Sequence, residues 1–189
     1  MIIGILRVGP VDAQVLERIR ENLNITFPST KPEILQDMLS IPKHAFNAKR
    51  GQYRSNIILA EVRLYAERAR NLSKVLGVAD VDLFVSGLNF VFGEAECPGR
   101  AALISIWRLR PEFYGEKPNF ERLAERSVKE AVHELGHTFG LGHCRNPYCV
   151  MYFSNTILDT DRKQSLFCSK CKLKIQGLLE AEGADRQTF

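Results

Sequence analysis

Apolar residues recur along this chain with two periods, and their alternation predicts a domain that mixes strands and helices. The run MIIGILRVG is apolar and β-branched, which predicts a buried first strand. In the segment that follows it, Val15, Leu16 and Ile19 repeat at helical spacing, and Asp12 is placed to cap the helix. Residues 24–53 show no clear period and contain several prolines, so we expect strand and loop there.

A second helical pattern extends from Ser55, a possible cap, to Gly77. Residues 81–109 then hold three apolar runs, separated by Ser-Gly and Cys-Pro-Gly breaks, which predict three strands. A third helical pattern covers residues 120–140, where apolar residues recur at i, i+4, i+7 and i+11 from Val128. The chain after it is expected to be an irregular tail. This order of elements predicts an α/β fold.

The composition narrows the class of protein. A chain of 189 residues with 45% apolar content fits one globular domain over residues 1–189. Within it we expect residues 1–142 to form the sheet and helices, and residues 143–189 to form a C-terminal subdomain. There is no basic N-terminal leader, and no apolar run approaches the ~20 residues of a membrane span. The net charge of +4 is mild. These features predict a monomeric, cytoplasmic protein without a membrane partner.

The segment AVHELGHTFGLGHCRNPYCVM holds three of the four histidines of the chain. His133 and His137 are four residues apart on the third helix, so both imidazoles project from one face and can reach a single metal ion. Glu134 is turned by about 100° from His133, and this position suits a base better than a third ligand to the same ion.

The third ligand has to come from beyond the helix. His143 can return to the histidine pair only if the helix stops, which Gly140 and Gly142 permit. Three neutral imidazoles leave a fourth position open for water, which is the pattern of a catalytic zinc. Glu134 is then placed to take the proton of a water whose pKa falls to about 7 on zinc.

The short HExxH motif has another reading, because it also occurs on ordinary helices whose histidines face solvent or bind a carbonyl. The extended pattern H-E-x-x-H-x-x-G-x-x-H is far more specific. Met151 follows in a turn-prone segment, where a methionine could support the histidine site from below or simply fill the core.

Four of the five cysteines cluster after residue 143 in the pattern C-x4-C-x18-C-x2-C. Four thiolates leave no position for water, which predicts a closed structural zinc site, with disulfides or reactive thiols as the alternative. The predicted ligands are Cys144, Cys149, Cys168 and Cys171.

His143 and Cys144 are neighbours, and neighbouring side chains of an extended chain point to opposite sides. We therefore expect them to serve two different ions. Cys97 is interpreted as a turn residue. An alternative is that its thiol caps the catalytic zinc and keeps an enzyme latent.

The span from His133 to Cys171 resembles the signature of the archaemetzincins, in which a metzincin zinc-binding consensus runs directly into a four-cysteine motif. The resemblance implies a compact metzincin-like fold, with a twisted mixed β-sheet, a backing helix and an active-site helix over a shallow cleft. It also implies a Met-turn at Met151. Two departures from the wider metzincin pattern are the short spacing from His143 to Met151 and the lack of a recognisable pro-segment. The resemblance implies the following roles: catalytic zinc ligands His133, His137 and His143, general base Glu134, and structural zinc ligands Cys144, Cys149, Cys168 and Cys171.

These observations predict a zinc-dependent peptidase with two Zn²⁺ ions per chain, in which Glu134 activates a zinc-bound water. Short or unstructured peptides are the expected substrates, bound along an edge strand within residues 81–109. The alternative is a zinc-ribbon-like nucleic-acid or protein binding module with a vestigial histidine site. Few aromatic residues in the tail and the small net charge disfavour nucleic acid as a partner. The basic surface of that alternative would comprise Arg162, Lys163, Lys170, Lys172 and Lys174.

Overall fold

A five-stranded mixed sheet forms the centre of the computed structural model, which describes residues 1–185. In chain order the elements are β1 (Ile2–Val8), α1 (Ala13–Thr26), β2 (Lys31–Leu39), β3 (Phe46–Asn47), β4 (Gln52–Arg54), α2 (Ser55–Arg68), β5 (Lys74–Ala79), β6 (Leu83–Phe84), β7 (Gly93–Ala95), β8 (Ala101–Ser105), α3 (Phe120–Thr138), α4 (Ile157–Arg162) and α5 (Ser169–Asp185). Short 3-10 turns occur at Lys43–Ala45, Trp107–Leu109 and Pro111–Tyr114.

The strand order of the main sheet is β2-β1-β5-β8-β7. The first four strands are parallel, whereas β7 pairs antiparallel with β8 and forms an edge. The central strand β5 is buried at all six positions, as expected for a parallel strand covered on both faces. A separate small sheet has the order β3-β4-β6. The mixed sheet predicted from the sequence is therefore confirmed.

Helices cover both faces of the main sheet. One apolar cluster joins α1 and α3 to one face, and a second joins α2 to the other face. The predicted start of α1 is confirmed, since the Asp12 carboxylate accepts a hydrogen bond from the Gln14 backbone N–H at 2.8 Å. The predicted strand and loop in residues 24–53 and the three strands in residues 81–109 are also present.

The predicted extent of the second helix is wrong. It ends at Arg68, and Lys74–Ala79 forms the central strand because its apolar, β-branched residues are buried on both faces. Gly77 does not end a helix. A Cβ on it would lie 2.7 Å from Val62 Cγ2, so the glycine allows α2 to approach β5 closely. Ser55 is the first helical residue, and its hydroxyl bonds to the small sheet and to Glu94 instead of capping the helix.

The expectation of an irregular tail is also wrong. Residues after 156 form α4 and α5, and Ile175 and Leu179 of α5 enter the same core cluster as α1 and α3. The signal was weak because the apolar residues of α5 are distributed around the helix, with Leu173 72% exposed while Ile175 is buried. Among the described residues, none of the helices is both long and apolar enough to span a bilayer.

Candidate active site

The helix α3 carries the first two histidines and Glu134 on its buried last turns. Its N-terminus is capped by Asn119, whose side-chain oxygen accepts from the Arg122 N–H at 3.0 Å. The helix ends at Thr138, and Gly140 after it adopts φ +100° and donates its N–H to the His137 carbonyl at 2.8 Å. The Leu141 N–H donates to the Gly136 carbonyl at 3.1 Å, which completes a Schellman motif.

This helix end brings the chain back towards the histidine pair, as expected for Gly140. Gly142 does not share the left-handed conformation, so the second predicted helix-breaking glycine is not needed for the turn. The structure places His143 beside both other histidines, with ring centroids 5.4 Å from His133 and 4.9 Å from His137. The available ring nitrogens of all three lie within 4.8 Å of one another.

The hydrogen bonds of the histidines show that this cluster suits a metal. His133 Nδ1 lies 2.8 Å from the Val150 carbonyl oxygen, and His137 Nδ1 lies 2.7 Å from that of Leu141. A carbonyl only accepts, so both Nδ1 atoms carry the proton and both Nε2 atoms present lone pairs. These two Nε2 atoms are 3.1 Å apart. Two facing lone pairs repel each other, and a shared cation removes that repulsion.

Burial keeps the three imidazoles neutral. It lowers the pKa of His133 well below the usual value, and the positive charge of Lys163 acts in the same direction. Burial likewise lowers the pKa of His137 and of His143. Neutral histidine is the form that binds metal.

Glu134 is buried next to the edge strand. Desolvation by burial raises the pKa of its carboxyl well above the ordinary value, and the nearby negative charge of Glu130 adds to this effect. A Cβ on Gly93, the first residue of β7, would lie 2.7 Å from Glu134 Oε1. Only glycine therefore lets the strand pass so close to this carboxylate.

A pocket of about 190 Å³ opens beside Glu134 and His133. Residues 88–93, which lead into β7, form one wall, and Phe153 to Asn155 form another. Glu130 also lines this pocket. The pocket lies where it could accept a substrate side chain next to the candidate catalytic residues.

The four clustered cysteines form a second group. Their sulfur atoms lie within 4.8 Å of one another, and all four are free thiols. Cys144 Sγ and Cys168 Sγ are 3.9 Å apart. This separation is far above a disulfide bond length of about 2.05 Å, and it is close to the spacing of about 3.8 Å that four Zn–S bonds of about 2.3 Å give in a tetrahedron. The thiols therefore fit a shared ion, and the disulfide alternative does not fit.

Backbone N–H groups point at these sulfurs. The Asn146 N–H donates to Cys144 Sγ at 3.5 Å, and the Cys168 N–H donates to Cys149 Sγ at 3.4 Å. A backbone hydrogen bond from Cys171 lowers the pKa of Cys168 to about 7. Desolvation by burial raises the pKa of Cys171 instead. Because of these opposite shifts, the thiols differ in pKa when no cation is shared between them.

Residues 149–151 connect the two groups. Cys149 belongs to the thiol cluster, the Val150 carbonyl orients His133, and the Met151 carbonyl accepts the Cys144 N–H at 2.8 Å. Met151 itself is fully buried under α3, where its Sδ would lie 2.5 Å from a Cβ on Gly136. Met151 thus packs in the core against Gly136 of α3, and its role as a support of the histidine site stays a prediction.

Cys97 is exposed in the loop between β7 and β8 and belongs to neither cluster. Its thiol lies 3.6 Å from the Leu141 carbonyl oxygen, within the loop that follows α3. The structure therefore agrees with a turn residue and not with a thiol that caps the histidine cluster.

Sequence reasoning missed a buried ion pair at the next turn of α3. Glu130 Oε1 lies 3.0 Å from Lys163 Nζ and accepts a hydrogen bond from the Thr160 hydroxyl at 2.9 Å. All three side chains are buried. The one available signal was that Glu130 precedes Glu134 by four residues and so shares its helix face.

Together, the fold and the two clusters place the protein in the metzincin class of zinc metallopeptidases. The sequence profile described as Peptidase family M54 matches residues 14–177. The chain belongs to this family, the archaemetzincins. Archaemetzincin from Methanocaldococcus jannaschii is 46% identical over 176 residues, which cover 93% of each chain.

Solved structures agree with this assignment. The crystal structure of archaemetzincin from Methanopyrus kandleri matches with a TM-score of 0.83 at 36% identity, covering 95% of this chain and 96% of the other. A zinc-dependent peptidase from Methanocorpusculum labreanum matches with a TM-score of 0.83 at 30% identity, covering 92% and 99%. The metzincin-like fold implied by the sequence resemblance is confirmed, and the protein is a zinc metallopeptidase.

Proposed function

We propose that His133, His137 and His143 hold the catalytic zinc and that Glu134 is the general base and general acid of the peptidase. The observation that carries this proposal is the pair of Nε2 lone pairs 3.1 Å apart, with both Nδ1 atoms committed to carbonyls. Such a pair is relieved by a cation shared between the rings. Glu134 directly follows His133 in the sequence, is buried, and lies beside the edge strand β7.

A zinc ion held by His133, His137 and His143 would supply a Lewis acid that lowers the pKa of water and polarises a peptide carbonyl. Glu134 accepts the proton of the attacking water and later donates it to the leaving amine. Its raised pKa suits the first step, because a more basic carboxylate accepts a proton more readily from water. The hydrogen bonds of His133 and His137 to carbonyls fix the orientation of their rings.

The edge strand β7 is the proposed surface for the peptide. An extended substrate can add to this edge of the sheet through backbone hydrogen bonds, next to Glu134 and the pocket at residues 88–93. Strand addition requires an extended chain, so short or unstructured peptides are favoured over folded proteins.

The second proposed ion is a structural zinc in the four-thiol cluster, which gives two zincs per chain. A site of four thiolates is closed to water and therefore has no catalytic position. Its support is the sulfur spacing and the backbone N–H groups that point at the thiols.

The structure does not favour the nucleic-acid binding alternative, because its five basic residues do not share a surface. Lys163 is buried against Glu130, and Lys172 faces a different groove from Lys170 and Lys174. A stripe of phosphate-binding cations requires exposed side chains on one face.

Glu134→Ala tests the proposed mechanism. We expect the variant to keep its fold and zinc content but to lose about 10²-fold or more in turnover, the contribution of a general base. The measurement is digestion of a random peptide library, alongside zinc per chain. Glu121→Ala is the matched control, because Glu121 is on the same helix but forms only an exposed ion pair with Arg18. Wild-type turnover by the Glu134→Ala protein would refute the role of this residue.

A further inference from the structure

A second, larger groove adjoins the candidate active site at His143. It measures about 960 Å³ and lies between the loop of residues 140–146 and one side of α5. His143 contributes to its wall, and so do Cys144, Cys168 and Cys171 of the thiol cluster, so the groove adjoins both candidate metal sites. We call it the basic groove, because its charged lining residues are Arg145, Lys170 and Lys174.

The three cations of the basic groove have no acidic partner among the residues that the structure describes. All three are exposed. Between them lie the apolar side chains of Leu173, which is 72% exposed, and Leu178. A groove that combines unpaired positive charge with exposed leucine is complementary to a chain that carries both acidic and apolar side chains.

A simpler explanation exists for part of this charge. Four thiolates and one Zn²⁺ carry a net charge of about −2, and nearby lysines reduce its cost. This explains Lys170, which lies between Cys168 and Cys171 in sequence. It does not explain why the cationic face continues along α5 to Lys174, or why two leucines are exposed beside it.

We propose that the basic groove binds an acidic segment of the peptide substrate that flanks the scissile bond. Arg145, Lys170 and Lys174 would pair with its carboxylates, and Leu173 would contact its apolar side chains. The inference rests on the proposed function, because the groove selects substrate only if cleavage occurs beside His143. It specifies the substrate class as peptides with acidic residues on one side of the bond that is cleaved.

Binding in the Glu134→Ala background tests the proposal without cleavage. The probes are two fluorescent peptide pools with the same random core, one flanked by aspartates and the other by serines. We expect the acidic pool to bind about tenfold more tightly at low salt, as three exposed charge pairs of up to about 1 kcal/mol each allow. The preference should fall steeply as salt is added.

Charge reversal of α5 provides a matched pair of variants. Lys170→Glu/Lys174→Glu should remove the preference for the acidic pool and leave binding of the neutral pool unchanged. Lys172→Glu lies between the two positions but lines a different groove, beside α1, so it should keep the preference. Lys174→Glu alone, outside the cysteine motif, should reduce the preference about threefold.

Several results would overturn the proposal. These are equal affinity of the two pools, a preference that survives the double charge reversal, and a zinc-loaded Lys174→Glu protein that keeps the full preference. Displacement of the acidic pool by a single-stranded oligonucleotide at equal or lower concentration would also overturn it, in favour of nucleic acid. Turnover of the neutral pool by wild type is measured separately. Absence of this turnover contradicts the proposed function, whereas binding in the Glu134→Ala background still tests whether the basic groove prefers acidic peptides.

Discussion

The histidine and cysteine clusters meet at His143 and Cys144, yet the chain supports them in different ways. Two of the three histidines are on α3, whose last turns are buried in the main core, and their rings are fixed by carbonyls. By contrast, Cys144 and Cys149 lie in a segment without helix or strand. Packing in the core therefore forms most of the histidine cluster, whereas the cysteine cluster depends more on the group that holds its four sulfurs together.

This difference in support between the two clusters is smaller than it would be if the tail were irregular. Ile175 and Leu179 anchor α5 in the core cluster of α1 and α3, and Phe167 packs edge-on against Phe27 at 5.7 Å between ring centroids. These contacts can hold part of the tail when the cysteine site is empty. We therefore expect the metal-dependent segment to be the loop of residues 144–149 and the approach to α5.

The largest expected effect is metal removal in two stages. A chelator should first remove the ion of the open three-histidine site and abolish activity, while the fold stays intact because packing supports α3. Higher chelator should then strip the thiolate-bound ion and loosen the loop of residues 144–149 and the approach to α5. Activity, zinc per chain, circular dichroism and limited proteolysis are followed in one titration that starts at two zincs per chain.

Cys168→Ser should reproduce the second stage with one zinc per chain. Proteolysis is expected between Cys144 and Cys171, while Ile175 and Leu179 keep the end of α5 attached. The division into two kinds of site is wrong if the loop loosens before activity falls, or if active protein never holds more than one zinc.

A smaller effect is expected when the buried ion pair between Glu130 and Lys163, one turn of α3 from the histidine cluster, loses one partner. Lys163→Met should lower the free energy of unfolding by about 3–5 kcal/mol, because it leaves the Glu130 carboxylate buried without its cation. Zinc in the cysteine cluster should stay bound. Urea unfolding with metal analysis makes this measurement.

Two further variants isolate that effect. Lys163→Met/Glu130→Gln removes both charges and keeps an acceptor for Thr160, so it should regain much of the lost stability. Lys129→Met removes a similarly buried lysine, which pairs with the exposed Glu125 and donates to the Asp161 carbonyl at 3.2 Å. No buried charge is left unpaired, so this variant should cost less than Lys163→Met. Equal losses for Lys163→Met and Lys129→Met would contradict the importance of the buried carboxylate.

Both clusters could be predicted from the sequence because their residues are set by fixed local spacing. A four-residue step places His133 and His137 on one helix face in any helix, and a cysteine pattern is visible without knowledge of the fold. The buried partner of Glu130 could not be predicted, since Lys163 comes from a distant segment. Lysine in a basic stretch ordinarily faces solvent, and only the packing of residues 157–163 against α3 buries it.

The errors in secondary structure have a similar cause. The strand Lys74–Ala79 follows a helix after only five residues, and its apolar run is compatible with either structure until its sheet neighbours are known. The helix α5 has a weak apolar face because it covers a core already formed by other elements. In both cases tertiary contacts decided what local periodicity left open.

The smallest expected effect comes from replacing one glycine in α3, below the histidines, and one glycine in the tail helix α5. In α3, Gly136→Ala would place a Cβ 2.5 Å from Met151 Sδ in a fully packed region, and this overpacking should cost about 1–3 kcal/mol. The better helix propensity of alanine returns about 1 kcal/mol, so a net loss of about 1 kcal/mol is expected. In α5, a Cβ on Gly177 meets no atom within 4 Å, and Gly177→Ala should stabilise by about 0.5–1 kcal/mol. Urea midpoints of the two zinc-loaded variants measure the difference. Shifts of the same sign would show that the helix below the histidines is no more tightly packed than the tail helix.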